Sequence, residues 1–175
     1  EAIENLGSMD ILCTDKTGTL TEGKIVLDGA VTPDGAPSGR VAELAVLNAS
    51  LQTGIDNPLD AAIVASAPEI SPASRHRKID EIPYDFQRRR LTVVVAEEEG
   101  APEHRIITKG AYTHVLDCCS SVLQGGAAVP LDDATRSRLD RFYEEKGRQG
   151  FRVLGVAVKA CKPRARYGHQ DEQEM

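Results

Sequence analysis

The sequence predicts an α+β domain, a largely antiparallel sheet flanked by helices, over residues 25–162 of 175. Three observations predict it. Two β-rich runs, 91–96 and 105–108, are separated only by an acidic turn and read as a hairpin. Helical patterns recur at about 40–52, 57–67 and 131–147. A further run, 151–158, is apolar along most of its length and suits a central strand. Strands joined by hairpins rather than by crossover helices make an antiparallel sheet.

Taken in order, the chain opens with Ile11-Leu12-Cys13, a short buried-strand pattern, followed by the polar loop Asp15-Lys16-Thr17-Gly18-Thr19-Leu20-Thr21. One strand and one loop bury no core, so residues 1–24 are expected to be an orphan piece of a neighbouring domain. Thr32 to Gly39 is dense in turn formers. Val41, Leu44, Leu47, Asn48 and Leu51 then recur at near-helical spacing, and Gly54 ends that helix. Asn57 is a good N-cap for a second helix, Pro58 suits its first position, and Asp60 complements the helix dipole at its third.

After a loop at 68–74, Ile79 to Ile82 reads as a short strand and Leu91 to Ala96 as a strong one. Arg105 to Thr108 returns, and Lys109-Gly110-Ala111 closes that strand and opens a helix to about Leu116. Gln124 to Ala127 is a turn, and Asp132 caps a long helix stopped at Gly147 or Gly150. Beyond Lys162-Pro163 the sequence turns polar, and residues 163–175 are expected to form a loose tail.

Composition narrows the function. Net charge is −6, which argues against nucleic acid as a partner. The longest apolar stretches run to about ten residues, short of the ~20 that span a bilayer, so no membrane binding is expected of this segment. The cysteines (Cys13, Cys118, Cys119, Cys161) form no C-x-x-C pair and the four histidines show no ligand spacing, so no structural metal is expected. Aromatic residues are only 4%, so aliphatic side chains must build the core.

Chemistry is concentrated at a few positions. Asp15 follows a strand, at the end of an α/β sheet where ligands bind, and a carboxylate there can attack a phosphoryl group. Lys16 adds positive charge, Thr17 and Thr19 offer hydroxyls, and Gly18 permits close backbone approach. Phe86 stands between an acid and three arginines, a polar setting for an aromatic, and offers a flat partner for a nucleotide base. Lys109, at a strand end before Gly110, can point into a pocket or simply mark an exposed turn.

The seven residues from Asp15 to Thr21 resemble the phosphorylation motif of P-type ATPases, cation pumps that pass through an aspartyl-phosphate. Three later segments, Asp85-Phe86-x-Arg88-Arg89-Arg90, Lys109-Gly110-Ala111 and Phe151-Arg152-Val153-Leu154, resemble that family's nucleotide-binding domain, in the expected order. With Pro83-Tyr84 ahead of it, the arginine run is most similar to the bacterial magnesium-transporting branch.

The resemblance implies that Phe86 stacks on adenine. It implies that Lys109 and Gly110 line the adenine and phosphate side, that Arg152 approaches the phosphates and that Asp60 contacts the adenine side. Many such pumps carry a lysine where this chain has Leu91, so Arg88, Arg89 or Arg90 would supply that charge. It further implies ATP as ligand, Asp15 as the phosphorylated residue, and Mg²⁺ held in the whole pump with Asp15 and Thr17. Thr17 stands where related haloacid-dehalogenase phosphatases place an acid, and a threonine protonates a leaving group poorly. The remaining partners would be the pump's phosphorylation, actuator and transmembrane domains, at the cytoplasmic face of a bacterial inner membrane. The chain is then expected to be a cytoplasmic fragment that binds ATP without turnover. The competing expectation is a soluble haloacid-dehalogenase-type phosphatase or phosphotransferase with Asp15 as nucleophile.

Overall fold

A computed structural model describes residues 25–54, 57–70, 76–97 and 100–175. The expected orphan strand and motif at 1–24, with Asp15, Lys16 and Thr17, lie outside the described residues. The rest is α+β, with elements in the order α1 (Gly39–Leu51), α2 (Pro58–Ala65), β1 (Arg77–Ile82), β2 (Arg90–Ala96), β3 (His104–Ala111), α3 (Tyr112–Leu116), β4 (Ser121–Gln124), β5 (Ala127–Pro130), α4 (Asp133–Arg148) and β6 (Leu154–Cys161). A 3₁₀ turn follows at His169–Glu172.

Local chemistry sets the helix starts. Ser38 Oγ accepts from Val41 N to cap α1, Asn57 Oδ1 accepts from Leu59 N ahead of Pro58 to cap α2, and Asp132 Oδ1 accepts from Thr135 N to cap α4. Helix α1 ends at Leu51, with Gln52 as its C-cap.

The main sheet has the order β1-β2-β3-β6, every pair antiparallel. β4 and β5 form a separate hairpin around Gly125-Gly126. Every residue of β2 is buried. By strand alternation Leu91, Val93 and Val95 face one way, with Ile107, against Leu44 and Leu47 of α1. Val94 faces the other way, with Ile106 and Ala157, against Val115, Cys118 and Met175. The sheet is thus a layer between α1 and α2 on one side and α3 with the chain's last residues on the other.

Two expectations are corrected. The apolar run 151–158 was expected as a central strand, but pairing starts at Leu154 and β6 is an edge strand beside β3. Its residues are apolar because both of its faces are covered: Val156 and Val158 pack toward α1, and Ala157 packs toward α3. Residues 163–175 are not a loose tail. Tyr167 N donates to Asp80 Oδ2 (2.7 Å), Met175 N donates to Cys118 O (3.0 Å), and Glu172 and Met175 are buried. Charged side chains there found buried partners that local composition does not display.

Candidate functional site

Register brings the distant motifs to one end of the sheet. Arg90 of β2 lies opposite Gly110 of β3, and Gly110 lies opposite Gly155 of β6. The turn carrying Phe86, the end of β3 and the link carrying Arg152 therefore meet at the same edge. Helix α2 adds Asp60 from above.

The Phe86 turn is built by its own acid. Asp85 Oδ1 accepts from Gln87 N (2.9 Å) and Arg88 N (2.6 Å), and Asp85 O accepts from Arg89 N (2.8 Å). The Arg88 N–H, with support from its guanidinium, holds the Asp85 carboxyl below the usual carboxylate range. Phe86 at the tip is 86% exposed. Tyr84 meets it edge-on, with ring centroids 5.7 Å apart, and leaves the rest of the ring open.

Lys109 shares the sheet face of Ile107 and points toward the helices, where its Nζ donates to Asp60 Oδ1. The lysine is 6% exposed and the aspartate 8%. Burial pulls the Lys109 ammonium below the ordinary lysine value, and the hydrogen bond and charge of Asp60 oppose that pull. Beside the pair lies a shallow depression between α1 and α2, lined by Ala49, Gln52, Pro58, Asp60, Ala61 and Val64 among others. Gly110 is required by packing: a Cβ there would lie 2.6 Å from Arg90 Cα and also against Arg89 O.

The arginine run divides. Arg88 Nη1 donates to both oxygens of Glu172 (2.7 and 2.6 Å), its Nη2 to Pro83 O (2.6 Å) and its Nε to Asp85. Arg90 Nε donates to Glu172 Oε2 (3.0 Å) and its Nη1 to His114 O (3.0 Å). Thr92 Oγ1 donates to Glu172 Oε1 (2.6 Å). Arg90, Thr92 and Glu172 occupy the sheet face opposite Lys109. Arg88 and Arg90, expected from the sequence to serve a nucleotide, both direct their guanidiniums to the side-chain carboxylate of Glu172.

Arg89 differs from its neighbours. Its side chain is exposed, no ion pair engages it among the described residues, and its backbone is left-handed (φ 48°). Its carbonyl accepts from Ala111 N (2.9 Å), so the turn is stitched to the end of β3. Arg152 is likewise exposed, in the link before β6. Leu91, where many pumps carry lysine, is buried against α1.

Two structural residues of the site had little or no local signal. Glu172 sits in a polar stretch that reads as solvated; the one hint is Arg90, which opens a mostly apolar strand and, if buried with it, needs an acid. Asn48 was legible only as a polar residue on the apolar stripe of its helix. It is 0% exposed, and its Nδ2 donates to Leu91 O (3.2 Å) and Ile107 O (2.8 Å), fastening α1 across β2 and β3.

Known proteins carry the same sequence pattern. The family model described as P-type ATPase, cytoplasmic domain N, matches residues 5–175. The chain is 46% identical over its whole length to magnesium-transporting ATPase, P-type 1, of Escherichia coli strain K12, covering 20% of that protein. It is 45% identical, with the same coverage, to the protein of that name from Salmonella typhimurium strain LT2. It is 30% identical over 89% of its length to sodium/potassium-transporting ATPase subunit alpha-2 of Bos taurus, covering 19% of that protein. The chain therefore spans about a fifth of the length of these relatives. With its antiparallel sheet and the ordered motifs at one sheet end, it belongs to the P-type ATPase cytoplasmic N-domain family.

Proposed function

We propose that this chain binds ATP at the sheet end where Phe86, Lys109, Gly110 and Arg152 meet, and that in a whole magnesium-transporting pump it presents the γ-phosphate to Asp15. The observation that carries this reading is Phe86. A large apolar ring held 86% exposed on a hydrogen-bonded turn, met edge-on by Tyr84, offers its face as a stacking platform for a base.

The surrounding groups support it. Asp60 and Lys109 lie together on the adenine side, already desolvated and held by each other. Gly110, with no side chain, lets the end of β3 pack directly against the backbone of Arg89 and Arg90 beside the Phe86 turn. Phosphates need cations, and Lys109 is already paired with Asp60, as Arg88 and Arg90 are with Asp85 and Glu172. Arg89 and Arg152 remain open to solvent beside the motif residues, and we assign the phosphate contacts to them. In this reading Arg89 stands in for the lysine that Leu91 replaces.

The further step belongs to the whole protein. Asp15 attacks the γ-phosphorus, the β–γ bridging bond breaks, ADP leaves, and an aspartyl-phosphate forms that drives transport at the membrane. Mg²⁺ would be held by Asp15 and Thr17, outside the described residues, and would neutralise charge developing on the transferred group. Among the described residues no group of three or more His, Cys, Asp or Glu side chains is placed to hold a metal. In this reading the chain by itself binds ATP without turnover. Residue-resolved NMR during ATP titration tests the reading. Shifts are expected to concentrate at Asp60, Phe86, Arg89, Lys109, Gly110 and Arg152; shifts confined to other surfaces would overturn the site.

A further inference from the structure

Glu172 is more deeply buried than any other charged side chain among the described residues. Its two oxygens accept from Arg88, Arg90 and Thr92, and Thr92 Oγ1 lies 2.7 Å from Thr108 Oγ1. Arg88 is the link that matters. Its guanidinium reaches Pro83 O and the Asp85 carboxylate, the two flanks of the turn that carries Phe86. Among the described residues Phe86 has Tyr84 alone as a ring neighbour. The turn is thus shaped by Asp85, but its placement on the sheet depends on Arg88, and Arg88 is anchored by Glu172.

We propose that Glu172 is a positioning residue for the nucleotide base: acting through Arg88 from the opposite face of the sheet, it holds Phe86 where adenine stacks. The inference rests on the reading that the base stacks on Phe86. Its physical basis is the strength and directionality of charge-assisted guanidinium–carboxylate bonds to a buried acid, which fix orientation as well as distance. An amide at position 172 keeps the shape but loses the charge, and donates where it must accept. Arg88 would then turn toward solvent and release Pro83 and Asp85.

The test is a double-mutant cycle on the 175-residue chain, with ATP affinity measured by calorimetry. Phe86→Ala is expected to weaken ATP on the order of tenfold, the usual worth of a stacked base. Glu172→Gln is expected to weaken it by a similar factor alone and by less than about twofold in the Phe86→Ala background, because both remove the same contact. Hydrogen exchange at the Gln87 and Arg88 amides should accelerate in Glu172→Gln, since those amides are held by Asp85. If Glu172→Gln folds poorly, Arg88→Lys probes the same link while keeping a cation for Glu172, and the same loss and non-additivity are expected. Fully additive losses would overturn the proposal, making Glu172 only a general stabiliser. Unchanged affinity in Glu172→Gln beside a weakened Phe86→Ala would also overturn it, while the binding reading stood. Unchanged affinity in Phe86→Ala itself would overturn the binding reading, and this inference with it.

Discussion

Lys109 Nζ donates to Asp60 Oδ1 between the end of β3 and the first turn of α2, with both side chains buried. The pair fastens a helix to the sheet and places two charges at the candidate nucleotide site. Removing one partner strands the other. Asp60→Leu should cost about 3–5 kcal/mol in urea unfolding, whereas the double variant Asp60→Leu/Lys109→Met should recover most of it. ATP affinity should fall in both, which separates the pair's structural role from its binding role.

The same lysine makes stability depend on alkaline pH. Its value is lowered in the folded chain, chiefly by burial, from an ordinary value of 10.5. Between the lowered value and 10.5 the unfolded chain binds more protons than the folded one, so stability must rise with pH across that window. Denaturant midpoints taken through the alkaline range should show wild type gaining on Lys109→Met as pH climbs toward 10.5. A constant difference would contradict the buried ammonium.

Gly110 tolerates no side chain. A methyl there meets the backbone of Arg89 and Arg90, which β2–β3 pairing holds in place. Gly110→Ala should therefore destabilise by roughly 1–3 kcal/mol, the usual range for overpacking, and shift the Lys109 resonances. Gly29→Ala, where a Cβ meets nothing within 4 Å, is the control and should leave stability within about 0.5 kcal/mol.

Phe86 offers the reverse signature. Because the ring is almost wholly exposed, Phe86→Ala should leave the unfolding midpoint within about 0.5 kcal/mol of wild type. ATP binding should weaken by about 1–3 kcal/mol, and adenosine should lose as much as ATP, since the base is common to both. Arg89→Met should instead weaken ATP and spare adenosine.

The C-terminal segment belongs to the domain. Ending the chain after Lys162 removes Glu172 from Arg88 and Arg90 and uncovers the apolar face around Val94 and Ile106. The loss should exceed about 3 kcal/mol by the stranded charges alone. A truncated chain as stable as the full one would restore the picture of a loose tail.

Elements governed by near neighbours were legible in the sequence. The caps Asn57 and Asp132 act on amides two or three residues away, and α2 and α4 begin beside them. The hairpin of β2 and β3 needed only two runs rich in β-branched residues and the acidic loop between them. The motif residues Phe86, Lys109 and Arg152 could be named from the resemblance of their segments to the P-type ATPase nucleotide-binding domain. Their meeting at one sheet edge could not, because it depends on the register that sets Arg90 opposite Gly110 and Gly110 opposite Gly155. Nor could the division of the arginine run be read from three identical side chains. Strand alternation turns Arg90 toward one face, the bend at Asp85 brings Arg88 to the same acid, and a left-handed backbone leaves Arg89 outside. The sequence by itself determined most of the elements, the family and the residue types of the site. Only the tertiary structure decided which charges cancel each other and which stay free, because a buried carboxylate takes its partners from 80 or more residues away and local composition carries no trace of that distance.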